Sequence, residues 1–182
     1  MPFNLKVEYE RVKQSCMALS ISPTAQLLIV SIKSQRLFYL IDGKLTQEYT
    51  VSTSKNPSSC VANSFGTPTG LHTIATMIGS EQPSGMVFKG RVPTQHFTKL
   101  TKQQQESNLI TSRIIRLRGL ERGVNVGDGC DTYNRYIYIH GTNHEARIGR
   151  PFSNGCIEMK NVDIIELFKQ MSEKILVWIT TN

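Results

Sequence analysis

A mostly β domain with one or two peripheral α-helices is the fold class this sequence predicts. Three observations carry it. Short apolar runs rich in Ile, Val, Phe and Tyr recur between turn residues along most of the chain. An Asp42-Gly43 pair lies between two such runs, where a tight hairpin needs it. Helical periodicity appears only near the two ends of the chain.

In order, residues 4–19 place Leu5, Val12, Cys16 and Leu19 at roughly helical spacing, with Lys6, Glu10, Arg11 and Lys13 between them. This predicts an amphipathic N-terminal helix, ended by the SPTAQ segment at 22–26. Strands are expected at 26–33, 36–42 and 44–53, the last two joined at Asp42-Gly43. Residues 54–70 are too rich in Ser, Asn, Gly and Pro for regular structure, and 71–78 resumes as a strand. The 79–112 stretch is polar, shows no clear period and is broken by Pro83, Gly85, Gly90 and Pro93. An irregular insertion of this kind is expected to be a lid or a mobile loop. Strands follow at 112–119 and 134–141, around a glycine-rich loop from Gly119 to Asp131. Asn161 fits a helix N-cap, and Ile164, Ile165, Leu167, Phe168 and Met171 give the helix an apolar face. Residues 175–181 close the chain as a buried strand. The expected organisation is a helical extension over 1–25 and one β domain over 26–182.

Composition narrows the function. The 182 residues are 39% hydrophobic and 19% charged, as in ordinary globular domains. No apolar run reaches the roughly 18–20 residues that span a bilayer, so stable membrane insertion is not expected. The N-terminus shows no recognisable signal peptide. The net charge is +7, part of it in Arg113, Arg116, Arg118 and Arg122. Two readings of this run stand: a solvated basic face, or attraction to an anionic ligand. Nucleic acid is not expected, because zinc-finger spacing, an RNA-binding aromatic motif and a basic helix with interleaved aromatics are all missing. The four cysteines form no CxxC pair, so structural zinc is not expected and Cys16, Cys60 and Cys130 default to free thiols.

The chemistry concentrates in 136–163, YIYIHGTNHEARIGRPFSNGCIEMKNVD. Alternation turns Ile137 and Ile139 toward the core and gives Tyr136, Tyr138 and His140 the other face. Cys156 follows a Ser153-Asn154-Gly155 turn. A cysteine with a histidine base is the minimum for thiol nucleophilic catalysis. A free thiol has a pKa of about 8.5, which a neighbouring imidazolium lowers, so a thiolate–imidazolium pair is expected. The N–H groups of Gly155 and Cys156 are candidates for an oxyanion hole.

This stretch resembles the L,D-transpeptidase catalytic domain, also called the YkuD domain. The resemblance rests on His140-Gly141-Thr142-Asn143, Ile148-Gly149, Ser153-Asn154-Gly155-Cys156-Ile157, Met159, Asn161 and Asp163. Upstream, Thr67-Pro68-Thr69-Gly70 resembles the family's TPxG segment, and together these cover roughly 26–180. The resemblance implies a β-sandwich with peripheral helices. It implies Cys156 as nucleophile, His140 as its base oriented by a backbone carbonyl, and Ser153 as a brace for the turn. It also implies peptidoglycan stem peptides as partners and no cofactor. In such chemistry the thiol attacks a diaminopimelate carbonyl of a tetrapeptide stem, expels D-Ala and holds a thioester. An amine of a second stem, an amine of a lipoprotein, or water then takes the acyl group. The substrate implies the cell envelope or periplasm; without a recognised leader, the cytoplasm stays open. A monomer is expected.

One departure is a charge reversal: Glu158 stands where the family often has Arg. A pairing with Arg147 or Arg150 is expected for it, with weakened binding of a carboxylate-bearing stem as the other reading. Asn154 replaces a common His. Tyr138, Gly141, Thr142, Asn154, Arg147 and Arg150 are the candidate substrate contacts, the two arginines as forks for a stem carboxylate or as plain surface charge. His140, His144 and Cys156 are not expected to hold a metal, because Gly141 and the preceding strand exclude the helix that an i,i+4 pair needs. His144 reads as an exposed loop residue or substrate contact, His72 as structural and His96 as a loop residue.

Overall fold

A computed structural model describes residues 3–182. Helix α1 (Leu5–Ala18) leads into β1 (Gln26–Ser31), β2 (Arg36–Ile41), β3 (Lys44–Thr50) and β4 (Gly70–Ile78). Then come β5 (Met86–Lys89), β6 (Val92–His96), α2 (Lys102–Gln105) and β7 (Thr111–Gly119). The chain ends with β8 (Tyr138–Gly141), β9 (Ile157–Met159), α3 (Asn161–Gln170) and β10 (Leu176–Thr180). The predicted fold class holds: the domain is mostly β, with helices at its periphery.

The strands form one sheet in the order β3-β2-β1-β10-β4-β7, after which β8 and β9 continue from β7 while β5 and β6 branch off as a hairpin. Ser52, just beyond β3, exchanges two backbone hydrogen bonds of 2.8 Å with Glu158 in β9. The two ends of the sheet therefore meet, and the strands curl around one core. Leu28, Val30, Leu37, Ile115, Leu117, Ile139, Ile157 and Val177 are buried there with Ile164 and Leu167 of α3. Alternation sends Leu27, Ile29, Phe38 and Leu40 to the opposite face, where Val12 and Cys16 of α1 cover them.

Helix α1 is capped by the Asn4 side chain, which accepts from the N–H groups of Lys6 and Val7. Its buried Glu8 accepts from Trp178 Nε1 and Asn182 Nδ2, both at 2.9 Å. The helix is thus tied to the last strand. Asp42 and Gly43 take φ of 49° and 74°, the two left-handed residues a tight hairpin requires.

Four expectations change. The 79–112 stretch is not irregular: it holds the β5–β6 hairpin, a 3-10 turn and the short α2, and His96 ends β6. Short strands with Pro93 inside them gave no readable period. The strand predicted over 134–141 begins only at Tyr138, because Tyr136 is left-handed (φ 56°) and 53% exposed. Asn161 is the first residue of α3 rather than its cap; Lys160 occupies that position without a side-chain hydrogen bond. Within the basic run, Arg113 and Arg116 are buried while Arg118 and Arg122 are exposed, so only half of it is a solvated face.

Replacing Glu8 with Ala strips acceptors from Trp178, Asn182 and Arg11. The expected cost is about 1–3 kcal/mol, read as a lower urea midpoint with an unchanged m-value.

Candidate active site

Strand register brings the candidate residues together. In β8, Tyr138 pairs with Arg116 and His140 with Ile114 of antiparallel β7. On the other side, Ile139 pairs with Ile157 and His140 with Glu158 of parallel β9. Cys156 immediately precedes β9 and therefore stands beside Tyr138. Because side chains alternate, Ile139, Ile157 and Met159 enter the core while Tyr138, His140, Cys156 and Glu158 share the other face. One row across the sheet is Arg116, Tyr138, Cys156; the next is Ile114, His140, Glu158. His140 and Cys156 are diagonal neighbours.

The imidazole is fixed by one contact. His140 Nδ1 lies 2.7 Å from the Gly141 carbonyl oxygen. A carbonyl only accepts, so Nδ1 carries the proton and Nε2 keeps the lone pair. His140 is 3% exposed, and burial pulls its pKa from 6.5 down to about 4, partly offset by that carbonyl. The ring is a neutral base at ordinary pH.

The thiol sits in a backbone cradle. Tyr138 N–H donates to Cys156 Sγ at 3.4 Å, and Sγ lies 3.5 Å from the Tyr136 carbonyl. Desolvation pushes the thiol up to about 12; the Tyr138 N–H opposes this, and Glu158 adds to it. The predicted thiolate–imidazolium pair is therefore replaced by a neutral thiol beside a neutral imidazole. No hydrogen bond joins the two side chains among the described residues.

The turn before Cys156 is held from inside. Ser153 is fully buried; its hydroxyl donates to the Cys156 carbonyl at 2.6 Å and accepts from Gly155 N–H at 3.2 Å. Ser153 is the predicted brace. The same bond spends the Gly155 N–H, which corrects its expected place in an oxyanion hole. The Cys156 N–H donates to no group among the described residues and remains the candidate donor. Gly155 has φ 116°, and a Cβ there would meet Ile137 Cδ1 at 3.2 Å and the Gly66 carbonyl oxygen at 3.3 Å. Only glycine fits this turn without strain.

The other predicted contacts divide. Tyr138 is buried against Phe88 and Ile114 beside Cys156, and forms a wall of the site. Asn154 is exposed and borders a cavity of about 480 Å³ with Tyr136, Arg135, Asp128 and Asp131. Gly141 and Thr142 are buried behind His140 and are not open to a substrate. Thr142 Oγ1 instead donates to Asn108 at 3.2 Å. Arg147 and Arg150 are exposed on the following turn, where Arg147 stacks over Phe152 at 5.9 Å. His144 Nε2 rests 3.2 Å from the carbonyls of Glu106 and Ser107, so it tethers the loops. His72 is structural as predicted: it is fully buried between the Gly70 carbonyl and Thr132 Oγ1.

Glu158 does not form the expected ion pair. It is 1% exposed, its Oε1 accepts from Asn108 Nδ2 at 2.6 Å, and Oε2 has no partner. Desolvation raises its pKa from 4.5 to about 7.

Two site residues were not singled out from the sequence for these roles. Buried Asn161 accepts from Thr111 Oγ1 (2.6 Å) and Ser112 Oγ (2.5 Å), and donates to the Thr142 carbonyl (2.9 Å) and Glu145 Oε1 (2.7 Å). It locks β7, the loop after β8 and α3 together. Arg135 donates to the carbonyls of Ser59 (2.9 Å) and Gly66 (2.7 Å), holding the 59–66 loop beside the cysteine turn. Both are single polar residues with distant partners, which no local spacing reveals.

The curled sheet is that of a known class of transpeptidase domain. A family model for the L,D-transpeptidase catalytic domain matches residues 25–179. The chain belongs to that family. The putative L,D-transpeptidase YqjB of Bacillus subtilis (strain 168) is 40% identical over 55 residues, covering 30% of this chain and 31% of that protein. An L,D-transpeptidase from Mycobacterium smegmatis superimposes with a TM-score of 0.54 at 15% identity, over 86% of this chain and 58% of that one. L,D-transpeptidase 3 from Mycobacterium tuberculosis, in complex with a faropenem-derived adduct, gives 0.52 at 13% identity, over 86% and 60%. An L,D-transpeptidase from Xylanimonas cellulosilytica gives 0.53 at 15%, over 92% and 68%. The chain thus spans about three fifths of the length of the first two of these structures and under a third of the curated relative.

Linkage sets a pH test on Glu158. A carboxyl whose folded pKa lies above its unfolded value stabilises the fold fully below about pH 4.5, and this contribution is lost as pH rises through about 7. Glu158→Gln removes that loss. Relative to the parent, the variant should gain on the order of 2–3 kcal/mol between pH 5 and pH 8, compared by urea midpoints at the two pH values. His72 and His140 titrate with the opposite sign in both proteins and cancel.

Proposed function

We propose that this domain is a cysteine-dependent L,D-transpeptidase acting on peptidoglycan tetrapeptide stems. The observation that carries the reading is the diagonal pairing of His140 and Cys156 on one face of β8–β9, beside a turn with an unspent Cys156 N–H. Cys156 Sγ attacks the carbonyl of the acyl donor. His140 Nε2, held toward its task by the Gly141 carbonyl, takes the thiol proton as the bond forms. The Cys156 N–H donates to the oxygen that gains charge. The proton on Nε2 then passes to the departing amine of D-Ala, which leaves the thioester. In the second half, an acceptor amine gives its proton to Nε2 and attacks the thioester, and the thiol is restored.

The neutral resting pair suits this sequence. A base with a pKa of about 4 is unprotonated and ready across the physiological range. A desolvated thiol resists idle ionisation, so proton transfer accompanies attack. Work on such a substrate puts the domain in the cell envelope.

Incubation with tetrapeptide muropeptides, followed by mass spectrometry, tests the proposal. Crosslinked dimers are expected; tripeptides alone would make the enzyme a carboxypeptidase instead. Cys156→Ala should abolish both products, and His140→Ala should slow acylation about 10²–10⁴-fold. A carbapenem should add its mass to the wild-type chain and not to Cys156→Ala. An unchanged wild-type mass counts against a reactive thiol. The rate of carbapenem acylation should show no acid limb down to pH 5, because His140 stays unprotonated there, and should decline toward pH 8 as Glu158 ionises near 7 and makes the thiol harder to deprotonate.

A further inference from the structure

The row that contains Cys156 continues into an unusual stack. Arg116, paired with Tyr138 across β7–β8, is 8% exposed. Its guanidinium lies 3.4 Å from the Tyr133 ring centroid and 5.0 Å from that of Tyr136. Arg118 covers Tyr133 at 4.4 Å. Arg91, at the tip of the β5–β6 hairpin, covers Tyr136 at 5.2 Å and donates to Tyr138 Oη at 3.3 Å. The stack abuts the thiol, since Tyr136 and Tyr138 supply the backbone groups nearest Sγ.

Three cations meet here without an anion. The ion pairs among the described residues are Glu8–Arg11, Glu10–Lys13 and Arg36–Glu48, and none involves this stack. Arg116 donates through Nη2 to the Tyr133 carbonyl at 2.8 Å, while its buried Nε has no partner. A buried cation without a counter-charge is costly, and ring faces offset only part of that cost. Arg91 and Arg116 each spend one N–H group, on Tyr138 Oη and on the Tyr133 carbonyl, while the other N–H groups of Arg91 and those of Arg118 donate to no group among the described residues. Such N–H groups are where a carboxylate binds in a fork.

We infer that Arg91, Arg116 and Arg118, interleaved with Tyr133, Tyr136 and Tyr138, form a subsite for a carboxylate of the acyl-donor peptide. This deepens the proposed acyl transfer and rests on it for the identity of the peptide. Arg147 and Arg150 are poorer candidates. Arg150 reaches only the Ala146 carbonyl, at 3.5 Å, and neither touches the residues around Sγ. The subsite also gives the β5–β6 hairpin a purpose, because a donor held there is clasped between the hairpin tip and the sheet.

Calorimetry on the Cys156→Ala chain tests this without requiring turnover. The probe is a diaminopimelate-containing tetrapeptide stem, with each of its carboxyl groups amidated in turn. The variant Arg91→Gln/Arg118→Gln leaves buried Arg116 in place, and its thermal melt checks the fold. Amidation of one carboxyl should weaken binding at least tenfold in the Cys156→Ala parent. The double variant should bind the unmodified stem at least tenfold more weakly, and that same amidation should then cost nothing further. Which amidation behaves so identifies the carboxylate. Equal binding of all stems by the parent and double variant, an amidation cost that persists in the variant, or no binding by the parent would each overturn the subsite. If this pattern holds while wild type forms no dimer and no tripeptide, the transferase reading fails and the subsite stands.

Discussion

The parallel pairing of β8 with β9 is the constraint on which the rest of the site depends. Side chains alternate with a period of two, so a one-residue slip of β9 would carry Cys156 into the core and Ile157 out of it. Three features oppose that slip. Ile139 and Ile157 are fully buried in the shared core. Ser52 clasps Glu158 by two backbone bonds, fixing the outer edge of β9. Asn161, two residues after β9, spends its carboxamide on β7 and on the loop after β8. The chemistry-bearing face therefore follows from packing and from one buried amide at some distance from the sulfur.

Burial then decides protonation. His140 and Cys156 both lose solvation on folding, and each charged form is disfavoured. Only a strong mutual interaction would make the ion pair the resting state. The diagonal placement instead leaves Nδ1 engaged with Gly141 and Sγ engaged with backbone of the Tyr136–Tyr138 segment. Under the proposed function, these two neutral groups, each held by backbone, exchange one proton when a carbonyl arrives. The same logic explains the glycines at 141 and 155. A Cβ at Gly141 would come 2.7 Å from the Thr111 carbonyl oxygen, and one at Gly155 would press on Ile137. Both keep backbone packed closely around His140 and Cys156.

Much of this was legible in the sequence where the signal is local. The Asp42-Gly43 hairpin, the apolar face of α3 and the core-facing Ile137 and Ile139 follow from periodicity and turn chemistry. So does the pairing of a strand-end histidine with a cysteine turn. What was missed depends on distant partners. The β5–β6 hairpin carries Pro93 and a mostly polar second strand, so no alternation marks it. Tyr136 continues an alternating pattern in sequence, but the chain turns there to pass the 130–135 loop. Asn161 looks like a cap because caps favour Asn, whereas its partners lie on β7 and after β8. The run Arg113–Arg122 looks like a charged surface because nothing local announces the tyrosines that lie against Arg116 and Arg118.

Glu158 is where local rules and the fold disagree most. A carboxyl paired across the strand from His140, with one oxygen unsatisfied, lowers stability when ionised and raises the thiol pKa. Its compensation comes from Asn108, which belongs to the 79–112 segment, and that bond strengthens when Glu158 carries its charge. One proton therefore couples two properties. Ionised, Glu158 grips the segment over the site and makes the thiol harder to deprotonate. Protonated, it relaxes both effects. An Arg here would offer no acceptor to the Asn108 amide nitrogen and would bring a positive charge under the sulfur. Glu158 thus favours a neutral thiol and binds the segment through the strand that carries it.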